Sequence, residues 1–103
     1  MHQQEKTVAI FRKWKDNGEI IALFPAIPSD VLGWFCLSYE RVGQHGGADY
    51  QGVIQATKPV GRSEFDPLNK ELSRIGYRLV VRKRASGSIH RQRMATASEI
   101  RKS

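Results

Sequence analysis

Cations crowd the last quarter of the sequence at Arg78, Arg82, Lys83, Arg84, Arg91 and Arg93, and a histidine sits in the run Gly43-Gln44-His45-Gly46-Gly47, with Asp49 close behind. Lysine and arginine neutralise phosphates and release counterions, so such a stripe gives salt-sensitive, sequence-blind affinity for nucleic acid or for an acidic protein surface. Trp14, flanked by Lys13 and Lys15, adds base stacking if it is exposed and core packing if it is not. Neither an RNP motif nor a helix-turn-helix nor a zinc-finger spacing is present to support sequence-specific reading.

The Gly/His run has two readings. As chemistry, His45 is a general base near neutral pH and Asp49 its orienting partner, with Cys36 or Ser38 as nucleophile only if one lies within hydrogen-bond reach. As structure, Gln44, His45 and Asp49 belong to a turn or recognition loop on a rigid scaffold, and this reading is preferred, with no catalytic residue assigned. No Gly-Lys-Ser/Thr follows the glycines, so this is no phosphate cradle. His2, His45 and His90 have no partners at ligand spacing, so neither a metal nor a cofactor is expected.

Residues 1–77 hold nine bases and nine acids, whereas residues 78–103 hold eight bases against Glu99 alone, so the whole excess of +7 lies at the C-terminal end. At 103 residues there is room for one domain. The single Cys36, in the apolar run Trp34-Phe35-Cys36-Leu37, excludes an internal disulfide and reads as a buried thiol. No apolar stretch is long enough to span a bilayer and residues 1–5 do not read as a signal peptide, so a cytoplasmic protein without a membrane partner is expected.

The elements that must position these groups follow from local pattern. Residues 7–16 and 19–24 flank Asn17-Gly18, the strongest short hairpin signal. A two-residue turn sets Trp14 opposite Ile21 and Arg12 opposite Leu23 on one face, with Phe11, Lys13, Lys15, Ala22 and Phe24 on the other. It also sets Asp16 against Glu19, a like-charge pair that a longer turn avoids. Pro25 and Pro28 end the second strand, residues 34–42 read as a third, and 43–47 as loop. Residues 48–57 fit either helix or strand. Phe65, Leu68, Leu72 and Ile75 form one helical stripe, entered at Ser63 or Asp66 and closed by Gly76. Residues 77–84 then form a strand with Tyr77, Leu79 and Val81 on one face. Ile89, Met94, Ala97 and Ile100 make only a weak stripe. The expectation is an α+β domain over 1–85, a small antiparallel sheet of about four strands with one or two helices packed on one face, and a basic tail over 86–103 that is mobile or weakly helical.

The stretches 11–25, Ser38-Tyr39, 42–45, Ala48-Asp49, Thr57-Lys58-Pro59 running to Glu71-Leu72, and Ile75-Gly76-Tyr77 resemble a family of short uncharacterised bacterial proteins of no known activity, over most of residues 8–84. That resemblance implies a fold unit and no chemistry. Residues 8–28 alone, a strand, a Gly turn and Ile21-Ala22-Leu23-Phe24-Pro25-Ala26-Ile27-Pro28, are similar to the opening hairpin of HicB-type antitoxins. The Gly-x-Thr-x-x-Glu-Ala helix entry of that family is absent, so the likeness speaks to sheet topology only. The function expected is a small non-enzymatic binding protein whose C-terminal strand and tail contact nucleic acid or an acidic partner. The alternatives are a protein-interaction module of antitoxin or inhibitor type, and a hydrolase built on the Gly/His run.

Overall fold

A computed structural model describes residues 6–40 and 44–102. The N-terminal His2, the expected strand end at Arg41 and Val42, the loop start at Gly43 and the last tail residue lie outside the described residues. The elements run β1 (Lys6–Trp14), β2 (Ile20–Pro28), β3 (Cys36–Glu40), β4 (Gln44–Ala48), α1 (Tyr50–Ala56), β5 (Thr57–Pro59), α2 (Arg62–Ile75), β6 (Arg78–Val81) and α3 (Gly87–Lys102). The sheet has the order β4-β3-β2-β1-β5, and β6 also pairs with β1. Among the described residues only the β1–β6 pairing is parallel.

The class is α+β, with more strands than the sequence pattern suggested. The additions are β4 and β5, both too short or too glycine-rich to show a period of two. The run 44–47, expected as loop, is an edge strand whose Tyr39↔His45 and Ser38↔Gly46 pairs continue the β3 ladder. Glycine weakens a strand, but here it permits contact: a Cβ on Gly47 would lie 2.7 Å from Ser29 Oγ.

The hairpin forms with a longer loop than two residues. Phe11 pairs with Ala22 and Arg12 with Ile21, and the Gly18 N–H reaches Trp14 O at 2.9 Å with Gly18 at φ 75°. Asn17 Oδ1 accepts the Glu19 N–H at 2.8 Å. The register moves by two residues, so every side chain keeps its expected face. The second strand runs through Pro25 to Pro28, with a register shift against β3 between Phe24 and Pro28 that absorbs the missing N–H groups. The third strand starts only at Cys36, leaving Trp34 and Phe35 exposed in the connection.

Because β1 and β2 bury consecutive residues, both sheet faces need cover. On one face Ala9, Phe11, Ala22, Phe24 and Tyr39 pack against Phe65, Leu68 and Leu72 of α2, and Phe11 stacks on Phe65 at 4.3 Å. On the other, Ile10, Ile21, Leu23 and Cys36 pack against Tyr50 and Val53 of α1. The helices therefore flank both faces instead of one. Residues 48–57 resolve as helix followed by strand, tied down by Arg12. Its guanidinium donates to Thr57 Oγ1 at 2.9 Å, Ile54 O at 3.1 Å and Thr57 O at 3.0 Å, satisfying carbonyls at the end of α1. α2 begins at Arg62 with Gly61 as N-cap, ahead of either expected cap, and carries Pro67 inside it.

Residues 87–102 form a docked helix. Arg93, expected to face phosphate, is only 8% exposed. It donates to Gly33 O at 3.0 Å and Pro25 O at 2.7 Å, and its Nη1 lies 2.8 Å from His90 Nδ1. Gly33, at φ 78°, comes so close to α3 that a Cβ there would lie 3.0 Å from Ala97 Cβ. Arg101 adds a hydrogen bond to Val31 O at 2.6 Å. The sequence stripe missed this face because a charged residue and Ala97 make it, while Met94 and Ile100 stay exposed.

Arg93→Ala leaves two carbonyls and an imidazole unmatched, and a loss of about 3 kcal/mol follows from the usual worth of such bonds. Amide exchange over residues 87–102 should quicken well before global unfolding; equal protection in the variant would contradict the anchoring role. His90 is held below its ordinary value by burial and then by the Arg93 charge. It therefore takes a proton more readily in the unfolded chain, and its stabilisation, present above the ordinary imidazole range, is lost as pH falls through the lowered folded value. Thermal unfolding followed on acidification should show a shallower decline for His90→Gln than for the parent, and superimposable declines would refute this.

Candidate nucleic-acid interface

The outer edge of β1 is shared by two strands of opposite direction. Lys6–Ala9 pair with β6 and Arg12–Trp14 with β5. Between these two stretches, beside Phe11, the sheet forks. The Arg82 N–H still bonds Ala9 O at 3.0 Å, after which the chain turns away. On the far side of the fork, Val60 and Gly61 lead into α2. The result is a groove of about 740 Å³ floored by Phe11, Phe65, Val60 and Val81 and rimmed by Arg62, Arg82 and Lys83.

Cations at this groove differ in how they are held. Arg12 lines it but spends its guanidinium on α1 and β5. Arg62 lies over the Phe65 ring at 5.6 Å and pairs with Asp66 at 3.2 Å. The Lys70 ammonium first, and Arg62 second, hold the Asp66 carboxyl below its usual range. Among the described residues, Arg78, Arg82, Lys83, Arg84 and Arg91 have no carboxylate within ion-pair distance, and all are exposed. Lys6 and Arg78 are register partners at the start of the parallel pair. Cations thus mark both ends of β6, whose other edge is open among the described residues.

Of the residues picked out by charge alone, Arg82 and Lys83 meet at the groove, Arg84 and Arg78 lie just beyond it along the chain, and Arg91 stands apart on α3. Arg93 drops out, since it is buried under the loop over 29–35. Arg62 was missed, although its place three residues before Phe65, at the head of an amphipathic stripe, was the available signal. Lys6 was missed because only the parallel pairing brings it to Arg78.

The His45 ring faces Tyr39 edge-on at 4.8 Å, and its Nε2 lies 2.8 Å from Tyr77 Oη. Tyr39 in turn donates to Glu71, and this bond, followed by burial, raises the Tyr39 pKa. Gln44 and Asp49 line a cleft with Ser38, which His45 also lines, but among the described residues the His45 ring is bonded to Tyr77 and not to Asp49, so Asp49 does not orient it. Cys36 also points away from His45, fully buried, and burial pushes its thiol up to about 11. The nucleophile–base pairing that a hydrolase on this run needs is not formed. Among the described residues no group of three or more His, Cys, Asp or Glu could hold a metal ion, and no helix is long and apolar enough to cross a membrane.

No protein-family model, curated protein or solved structure matches this chain.

Burial and the raised thiol value make a direct kinetic prediction. At mildly alkaline pH the native Cys36 should react with an aromatic disulfide reagent at least roughly tenfold more slowly than the denatured chain, because its thiolate is scarce. Matching rates would mean that the thiol is open to solvent.

Proposed function

We propose that this chain is a non-enzymatic nucleic-acid-binding protein whose forked groove takes the phosphate backbone of a single strand. The observation that carries the reading is the meeting of Arg62, Arg82 and Lys83 around an apolar and aromatic floor, in a groove of about 740 Å³. Cations at a rim supply sequence-blind affinity for a phosphate backbone, and the floor, whose Phe11 and Phe65 rings are stacked on each other and buried, shapes the groove without offering a free ring face to the bases. Arg78 and Arg84 extend the positive strip beyond the groove, and the open edge of β6 leaves the approach clear.

A specific observation favours a second reading, a protein-interaction module. Val31, Leu32, Trp34 and Phe35 in the β2–β3 connection are exposed, Trp34 by 64%, as are Met94 and Ile100 on the helix beneath it. Exposed apolar groups gathered in this way commonly mark a protein contact. A co-purifying partner that no longer accompanies Trp34→Ser would favour this reading over the first.

The groove is tested by fluorescence anisotropy of a labelled single-stranded RNA across a salt series. Replacing Arg82, Lys83 and Arg84 together by Ala should weaken binding and reduce the slope of log K against log salt by about 2, at roughly 0.7 for each phosphate that is no longer neutralised. Arg62→Ala should weaken binding by a smaller factor. Unaltered affinity and slope in the triple variant would reduce the strip to a solvated edge that only discourages strand addition.

A further inference from the structure

We infer that the cleft between β3, β4 and α1 is a binding site for a small organic cation bearing a primary ammonium group. It lies on the sheet face that carries Ser38, with His45 among its lining residues, and is separate from the basic groove. Its volume is about 340 Å³, at the lower end of the range of pockets that take small ligands.

Ser38 is the first argument. Its residue is only 5% exposed, it faces the cleft, and among the described residues its hydroxyl has no hydrogen-bond partner. Among the described residues no fully enclosed side-chain polar atom lacks a partner, so this hydroxyl opens on the cleft, where a donor that enters can pair with it. The space over it is provided by Gly46: a Cβ at that position would already stand 3.5 Å from Ser38 Oγ, so any longer side chain would cover the hydroxyl.

The charges at the cleft run against the sign of the chain. In a chain of net charge +7, the described residues lining this cleft include two carboxylates, Glu40 and Asp49, and no lysine or arginine. Glu40 is held in place, because one of its oxygens accepts the Trp14 Nε1–H at 3.0 Å, while the other makes no bond among the described residues. Asp49 precedes α1 without capping it. Its Oδ2 rests against Gly52, where a Cβ would come within 2.9 Å. His45 also lines the cleft, with its ring Nε2 engaged by Tyr77 Oη at 2.8 Å. Trp14 forms part of the wall, and an indole attracts a cation. An ammonium group has three donors and no acceptor, which matches a hydroxyl oxygen and two carboxylates in one cleft. An anion meets two like charges there.

The test uses the full chain carrying Trp34→Phe, so that Trp14 alone reports by fluorescence, with calorimetry as a second readout. Putrescine is the probe, choline the cation without N–H donors, and acetate the anion. Putrescine should saturate the Trp14 signal with a Kd of roughly 1 mM or tighter, choline should bind about tenfold more weakly, and acetate should give no saturable signal. Glu40→Gln with Asp49→Asn should weaken putrescine at least about tenfold and Ser38→Ala by several-fold, with unchanged thermal unfolding. Glu19→Gln, which removes an exposed acid elsewhere, should have no effect. The inference is overturned if putrescine shows no saturable binding at millimolar concentration, or if the double variant binds as the parent does. An equal loss in Glu19→Gln would do the same, since it would mean diffuse charge attraction. RNA binding by the parent is independent of all these outcomes, because no residue of the basic groove is altered.

Discussion

One strand edge carries two incompatible pairings, and the rest of the molecule is arranged around that constraint. β1 gives one edge to β2 and divides the other between β6, running parallel from Lys6 to Ala9, and β5, running antiparallel from Arg12 to Trp14. Two strands that approach from opposite directions cannot close on each other, so the sheet forks beside Phe11. The fork places Arg82 and Lys83, which leave β6, across from Arg62, which opens α2. A stretch of sequence neutral on balance thus contributes a cation to the site, and the basic C-terminal quarter contributes the others.

The same strand accounts for the cover on both faces. Alternating residues of β1 and β2 send Phe11 and Phe24 to α2 and Ile10 and Leu23 to α1. α3 completes the second side by a different principle. It buries a guanidinium, which is tolerable because Gly33 O, Pro25 O and His90 Nδ1 meet it. The C-terminal charge therefore has two uses. Arg93 and Arg101 hold the helix to residues 25–33, while Arg78, Arg82, Lys83 and Arg84 remain free toward solvent.

What could be read from the sequence was local and periodic. Asn17-Gly18 announced a hairpin, the Phe65-Leu68-Leu72 spacing announced α2, and alternation placed Tyr77, Leu79 and Val81 on the core face. The hairpin register escaped, because loop length depends on the Asn17 and Gly18 hydrogen bonds and not on the apolar pattern. β4 escaped because edge pairing with β3 overrides the loop preference of Gly46-Gly47. α3 escaped as a docked element because its anchor is charged, and for the same reason Arg93 was misassigned to phosphate. At the site, charge found Arg82 and Lys83. Lys6 needed the parallel β1–β6 pairing, a long-range fact that no local window holds, whereas Arg62 had its local signal at the head of the α2 stripe but lay in a stretch with no excess of charge.

The fork makes a claim about place that is best met atom by atom. Backbone amide shifts, recorded on the full chain as a short single-stranded RNA is added at near-physiological salt, measure it directly. The account predicts that the largest changes fall on residues 60–62 and 81–84, the two arms of the fork, with little change at Ser38 or on the 31–35 connection. Shifts confined to residues 31–35 and the exposed side of α3, or none that saturate, would contradict it and leave the groove as a feature of the fold alone.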